Sequence, residues 1–329
     1  MSTAGELGER KIIELIIENL EKMPSMPIPF GDDISAIPLG RGRLAVVKTD
    51  MLIGKTDVPP RMAPRQIARK AVVMNISDLA SKGVGPTAVL VSLGVPKDYS
   101  KKHLIDIGRG LNDGAREYNA YVIGGDTAES SDLIISCMVV GTAMERTIIR
   151  RSGARAGDIL ATTGLFGKTA AGLKILLNKL DAPKEIRKNL LDAVYMPRAR
   201  LREGLALARS GTVTASIDSS DGLAFSLHEL HKMSHVGFKL THLPLSPDAK
   251  RFADIHNLNE EDLALFGGEE YELIVTVKPD KWLRAERAVK RVGGRLIRIG
   301  YAAQDTAIAL KVADKERPIP PRGYEHFRE

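Results

Sequence analysis

Ser216-Ile217-Asp218-Ser219-Ser220-Asp221-Gly222-Leu223 joins two stretches of different period. Ahead of it, 212–217 is an apolar run that reads as a buried strand. Behind it, the apolar positions of 223–233 recur at helical spacing. Between them lie two carboxylates, two hydroxyls and a glycine, a strand-to-helix corner dense in hard oxygen ligands. Five other places put a carboxylate beside a small residue at an element end: Asp32/Asp33, Asp50, Asp78, Asp126 and Glu269/Glu270. Taken singly, each is an ordinary turn or helix-cap residue. Taken together, they repel one another unless cations lie between them, and magnesium binds through a few carboxylates plus substrate phosphates. With no thiol or imidazole among them, the set suits phosphoryl transfer governed by positioning.

The elements on either side of this corner set the fold class. An amphipathic helix is expected over 7–22, ended by the Pro-rich 23–30, and a strand over 44–48. A long helix should open at Pro64, where proline suits the first turn, and close at Gly83. Further strands are expected at 88–93, 121–123 and 133–143, with a helix from the Ser100 cap to Tyr118. The turn-rich 150–158 marks a domain boundary, dividing the chain into 1–148 and 149–329. Beyond it come a strand at 159–162, helices at 168–178, 184–194 and 197–209, and the opening corner. Strands at 237–240, 271–277, 297–301 and 307–312 follow, with a helix at 281–292. Strands and helices alternate without a simple βαβ rhythm, so the class is mixed α/β (α+β) in two domains.

Composition narrows the functions. The 329 residues carry a net charge of +7 and one cysteine, Cys137, in an apolar run, so no intrachain disulfide forms. No apolar run reaches the ~18 residues of a membrane span, and a soluble cytoplasmic protein is expected. Basic residues are dispersed and aromatics are only 5%, which disfavours nucleic acid as the partner.

Three patterns are decoys. Gly164-Leu165-Phe166-Gly167-Lys168-Thr169 lacks the first Walker glycine, that position being Thr162, and reads as a tight strand-to-helix turn. Gly40-Arg41-Gly42 precedes a strand rather than opening a helix, and reads as a hairpin turn. His228, His231 and His235 share a helix but lack a zinc signature.

With these residues in view, the chain resembles the thiamine-monophosphate kinase family, of the aminoimidazole ribonucleotide synthetase-like superfamily. The resemblance runs from about Phe30 to Phe327. It rests on Gly31-Asp32-Asp33, Thr49-Asp50, Asn75-Ile76-Ser77-Asp78, Gly124-Gly125-Asp126-Thr127, Arg151-Ser152-Gly153, Ser219-Ser220-Asp221-Gly222-Leu223, Gly267-Gly268-Glu269-Glu270 and Gly323-Tyr324-Glu325-His326-Phe327. It implies a two-domain synthetase-like fold whose N-terminal domain forms a dimer sheet or barrel. It also implies direct transfer from ATP to thiamine monophosphate with several Mg2+ ions, in a homodimer; composition adds that neither membrane nor nucleic acid is a partner.

Residue by residue, the resemblance assigns metal binding to Asp33, Thr49, Asp50, Asp78, Asp126, Asp218 and Asp221. It assigns the reaction to Asp33, Asp78, Asp126, Asp221 and Arg151, ATP contacts to Gly125, Asp126, Arg151 and Ser220, and substrate contacts to Asp57, Glu269 and Tyr324. Lys55-Thr56-Asp57-Val58 stands where the bacterial pattern has Gly-Val-His-Phe, so Asp57 replaces a substrate-side histidine, as in the archaeal form. Lys48 replaces a small hydroxyl residue before Thr49; it could salt-bridge a phosphate or point away, and the second is favoured slightly. The alternatives are another ATP-dependent enzyme of the superfamily, acting on a different small phosphate or carboxamide, and a non-catalytic nucleic-acid-binding protein.

Overall fold

The computed structural model describes residues 2–312 and 315–327. The chain begins with helices α1 (Ala4–Leu7) and α2 (Glu9–Glu18), then strands β1 (Ser35–Gly40) and β2 (Arg43–Ile53). Helices α3 (Gly54–Asp57) and α4 (Pro64–Ser81) lead to β3 (Pro86–Val95), α5 (Lys101–Glu117), β4 (Tyr121–Glu129) and β5 (Ile134–Met144). These strands form one open sheet in the order β1-β2-β5-β3-β4, parallel only between β3 and β4.

After 145–158 the chain builds a second sheet. Its elements are β6 (Ile159–Thr162), α6 (Lys168–Leu177), α7 (Lys184–Tyr195), α8 (Leu201–Ser210), β7 (Val213–Asp218) and α9 (Leu223–Ser234). Then come β8 (Gly237–Leu240), α10 (Pro247–His256), α11 (Glu260–Phe266), β9 (Leu273–Val277), α12 (Trp282–Arg291), β10 (Ile297–Ala303), β11 (Ile308–Val312) and β12 (Lys315–Pro318). The order is β12-β11-β8-β10-β6-β9-β7, with β8 and β11 the parallel pair. Among the described residues no helix is long and apolar enough to cross a membrane.

Helix α4 is the axis between the two sheets. Pro64 opens it, and Gly83, at φ +68°, follows its last residues. From Ile67 to Ser81 nearly every side chain is buried, because α4 is covered by β2, β5 and α5 on one side and by α8, β7 and β9 on the other. One apolar cluster therefore runs from Val46, Val72 and Ile135 through to Leu207, Val275 and Val289. Such enclosure demands close approach. A Cβ on Gly204 of α8 would lie 1.9 Å from the Ala80 carbonyl oxygen, and one on Gly110 of α5 would lie 2.1 Å from that of Arg65.

Several expectations change. The helix expected at 7–22 is divided at Gly8, whose φ of +76° breaks it, and stops at Glu18. Helices α10 and α11 were not anticipated, and α8 starts at Leu201 rather than 197, four residues after Pro197. Thr49-Asp50 and Gly124-Gly125-Asp126-Thr127 lie inside long strands rather than at strand ends. The second extension is enforced by pairing: Gly125 opposes Val91, and a Cβ there would lie 1.9 Å from the Val91 carbonyl oxygen. Glycine is what lets β4 continue alongside β3.

Gly204→Val should lower unfolding free energy by about 1–3 kcal/mol through overpacking against α4. Gly108→Ala, on the open face of α5 with nothing within 4 Å, should raise it by roughly 0.5–1 kcal/mol. Denaturant titration checks both, and equal losses at the two positions would contradict this packing.

Candidate active site

Three carboxylates from three segments meet beside α4. Asp33 comes from the loop before β1, Asp78 from the last turn of α4 and Asp218 from the end of β7. Each offers an oxygen, and these oxygens lie within 4.8 Å of one another. The opening corner thus delivers its first aspartate from the second sheet to two from the first half of the chain.

Local bonding ties each carboxylate to its neighbours. Asp33 accepts from Arg151 Nε at 2.6 Å, Ser81 Oγ at 2.9 Å and Lys82 Nζ at 2.6 Å. Burial alone would raise its pKa, but Arg151 and Lys82 override it and hold the carboxyl well below the usual range. Asp218 accepts from Ser77 Oγ at 2.6 Å. Burial, with Asp33 nearby, still pushes Asp218 up to about 6. Burial also raises Asp78 well above the usual range: Lys48 opposes this, and Asp218, Asp50 and Asp33 add to it. Asp221 is pushed up to about 7 by burial, then by Glu9 and Asp218.

Asp33 has its cations, but Asp78, Asp218 and Asp221 lack enough positive charge around them to offset burial. The hydroxyl of Ser219, next to Asp218, is also buried without a partner. A cluster of hard oxygen donors in this electrostatic state fits a divalent cation such as Mg2+.

Lys48 is not turned away, as its place in the sequence suggested. Its Nζ lies 3.0 Å from Asp50 Oδ1 and 3.1 Å from Asp78 Oδ2. Strand alternation forces this, since Lys48 and Asp50 share the face of β2 that packs on α4. Burial would lower the lysine pKa, but Asp78 and Asp50 dominate and keep it charged. The backbone N–H of Asp50 donates to Asn75 Oδ1 at 2.8 Å, which clamps β2 to the helix.

The expected substrate residues also converge. Lys70, 1% exposed on α4, donates to the Asp57 carbonyl at 2.9 Å and pairs with Glu269. Tyr324 lies beside both carboxylates, and its phenol is pushed up to about 12 by burial, then by Asp57 and Glu269. The Tyr324 N–H donates to the Asp221 carbonyl at 3.0 Å, joining this group to the carboxylate cluster. Glu269 and Tyr271 have φ of +62° and +51°, the left-handed region that side chains resist. Their N–H groups are held by the carbonyls of Ser220 and Ser219, at 2.6 and 2.9 Å.

Other expected residues lie elsewhere or are engaged differently. Asp126 is exposed on β4 and shares a register row with Ser92 and Ser136. Thr49 points the same way, its hydroxyl 3.5 Å from Ser136 Oγ. That face is opposite the one carrying Lys48 and Asp50, so within one chain the structure does not bring Thr49 or Asp126 to the cluster. Gly125 lies in β4 and Ser220 is exposed at the corner. Arg151, expected at a phosphate, is engaged by Asp33, the Gly31 carbonyl and Glu229.

The decoys are resolved as well. The N-terminus of α6 after Gly164–Gly167 is filled by Glu270, which accepts from Thr169 N at 3.0 Å. His228 and His231 each bond a separate carbonyl, of Ile319 and Val236, and do not converge on a metal. Cys137 is core, its thiol pushed up to about 12 by burial and then by Asp50.

Sequence reasoning missed Lys70 and Lys82. Both carried a signal: with Ser77, Asp78 and Ser81 they trace a polar stripe at helical spacing along a helix otherwise bound for the core.

Comparison with known proteins finds relatives along almost the whole chain. Residues 31–143 match the family described as AIR synthase related protein, N-terminal domain. Thiamine-monophosphate kinase of Nitrosopumilus maritimus (strain SCM1) is 32% identical, over 98% of this chain and 99% of its own. Thiamine-monophosphate kinase of Pyrococcus horikoshii is 30% identical, over 98% and 97%. The solved structure of AaThiL complexed with AMPPCP and TMP superposes with a TM-score of 0.87 at 26% identity, covering 99% of each chain. That of tt0281 from Thermus thermophilus gives 0.85 at 29% identity, covering 96% and 99%. With relatives this similar along almost its full length, the chain belongs to the thiamine-monophosphate kinase family.

Proposed function

We propose that this protein transfers the γ-phosphoryl group of ATP directly to thiamine monophosphate, giving thiamine diphosphate and ADP. The observation that carries this reading is the join between two groups. Asp33, Asp78 and Asp218 form a carboxylate cluster, and Asp57, Glu269 and Tyr324 form a second group tied to it through the Asp221 carbonyl. AaThiL, which shares the fold, is solved with AMPPCP and TMP.

An oxygen of the acceptor phosphate bonds the γ-phosphorus as the bond to the β–γ bridging oxygen breaks. That acceptor is already anionic at neutral pH, so no general base is needed, in contrast to alcohol-directed kinases. Asp33, Asp78 and Asp218 would hold Mg2+, with Asp221 beside them. When bound, the ion supplies charge neutralisation and orientation for the phosphates. Arg151 and Lys82 fix the Asp33 carboxylate in its ionised form. Glu269 offers an acceptor for the pyrimidine amine, and Lys70 sets its position. Tyr324, half exposed, offers a ring face for stacking. Asp57 holds its carboxylate toward the Tyr324 hydroxyl.

A homodimer is part of this reading. Ile37, Met51, Tyr121 and Ile123 expose apolar surface on the first sheet, and the outer edges of β1 and β4 have no strand partner among the described residues. A second copy would cover that surface. It would also enclose Thr49 and Asp126, which share the uncovered face.

Incubation with ATP, Mg2+ and thiamine monophosphate should yield thiamine diphosphate; folded protein that binds ATP yet forms none contradicts the substrate assignment. Asp78→Asn and Asp218→Asn should each lower kcat at least about 100-fold, as when a group stabilising transition-state charge is lost. Tyr324→Ala should raise KM for thiamine monophosphate roughly tenfold, the worth of one aromatic contact. KM for ATP should change little, and an equal rise in both would place Tyr324 outside the substrate pocket.

A further inference from the structure

Lys48 and Lys82 both lie among the site carboxylates, yet they differ in one respect. An ammonium has three N–H donors. Lys82 is fully buried and uses all three, toward Asp32 at 2.8 Å, Asp33 at 2.6 Å and the Ser216 carbonyl at 2.7 Å. Lys48 meets two acceptors, Asp50 at 3.0 Å and Asp78 at 3.1 Å, and 21% of its side chain is open to solvent. Asp50, for its part, is absent from the set of oxygens gathered within 4.8 Å, which holds only Asp33, Asp78 and Asp218 among the described residues. Its link to that set runs through the lysine.

The spacing is that of an ammonium seat. Oxygens 3.0 and 3.1 Å from the central atom suit an N–H donor. Magnesium requires about 2.0–2.1 Å to each ligand, so both carboxylates would have to close in by roughly 1 Å on an ion at that point. With the ammonium between them the carboxylates stay apart; without it, rotation of the Asp50 and Asp78 side chains closes that gap on an ion, while Asn75 keeps the Asp50 backbone in place at 2.8 Å.

We propose that Lys48 is a resident cation of this active site. Its ammonium occupies the place between Asp50 and Asp78 that a divalent ion would take, so the chain binds one metal fewer than its carboxylates would permit. Its remaining N–H is left for a phosphate oxygen of the nucleotide. Asp50 is then a positioning residue for Lys48 rather than a metal ligand. This inference rests on the metal-dependent kinase reading above.

Metal stoichiometry tests it without reference to turnover. Mn2+ binding is counted by electron paramagnetic resonance in the presence of AMPPCP, on full-length protein whose fold is verified by circular dichroism. Lys48→Ser and Lys48→Ala should each bind one Mn2+ more per protomer than the natural protein, and Lys48→Arg should match it. Asp50→Asn, made in the natural background, should leave the count unchanged. Equal non-zero counts for the natural protein and the serine and alanine variants overturn the role of Lys48, as does loss of one ion in Asp50→Asn. A natural protein that binds no Mn2+ at all overturns the metal reading together with this inference.

Discussion

Lys82 has no contact with solvent, and each of its N–H groups is committed: two to the carboxylates of Asp32 and Asp33, one to the Ser216 carbonyl on β7. Taking such charges out of water costs several kcal/mol per ion and is offset only when every donor is satisfied. That condition holds at one relative placement of the 31–33 loop, the end of α4 and strand β7. Arg151 adds to it, binding Asp33 through the side chain and Asp32 through the backbone N–H. The buried pairs therefore contribute specificity of arrangement more than stability. They hold Asp33 ionised beside Asp78 and Asp218, and the rest of the site is set by that anchor.

The second group follows from the same helix. α4 carries Lys70 near its start and ends in the cap residue Lys82, so one element and its cap position both the carboxylate cluster and the Glu269 contact. The left-handed residues at 269 and 271 fit this picture. Each costs about 1–3 kcal/mol, and the hydrogen bonds from their N–H groups to Ser219 and Ser220 hold them at the corner where the two groups join.

The opening corner shows how far sequence carried. Its strand, its helix and the caps of α4 follow from period and turn chemistry, and so does the mixed α/β class. That Asp33, Asp78 and Asp218 belong to one group was legible because carboxylates beside small residues recur. The face each side chain takes was not. Thr49 and Asp126 looked equivalent to the others while their segments were read as strand ends; inside long strands, alternation fixes them on the opposite side of the sheet. The cations were hidden for another reason. Counting carboxylates identifies a site for positive charge but not what supplies it, and Lys48 and Lys82 reach the cluster only because β2 and α4 pack together.

In the proposed mechanism, carboxylates from the two halves of the chain share one metal. The most direct measurement is an anomalous difference map from crystals grown with Mn2+ and AMPPCP. It should show a peak bounded by Asp33, Asp78 and Asp218. A map with Mn2+ bound only at Asp126, or with no density between those three aspartates, would contradict it.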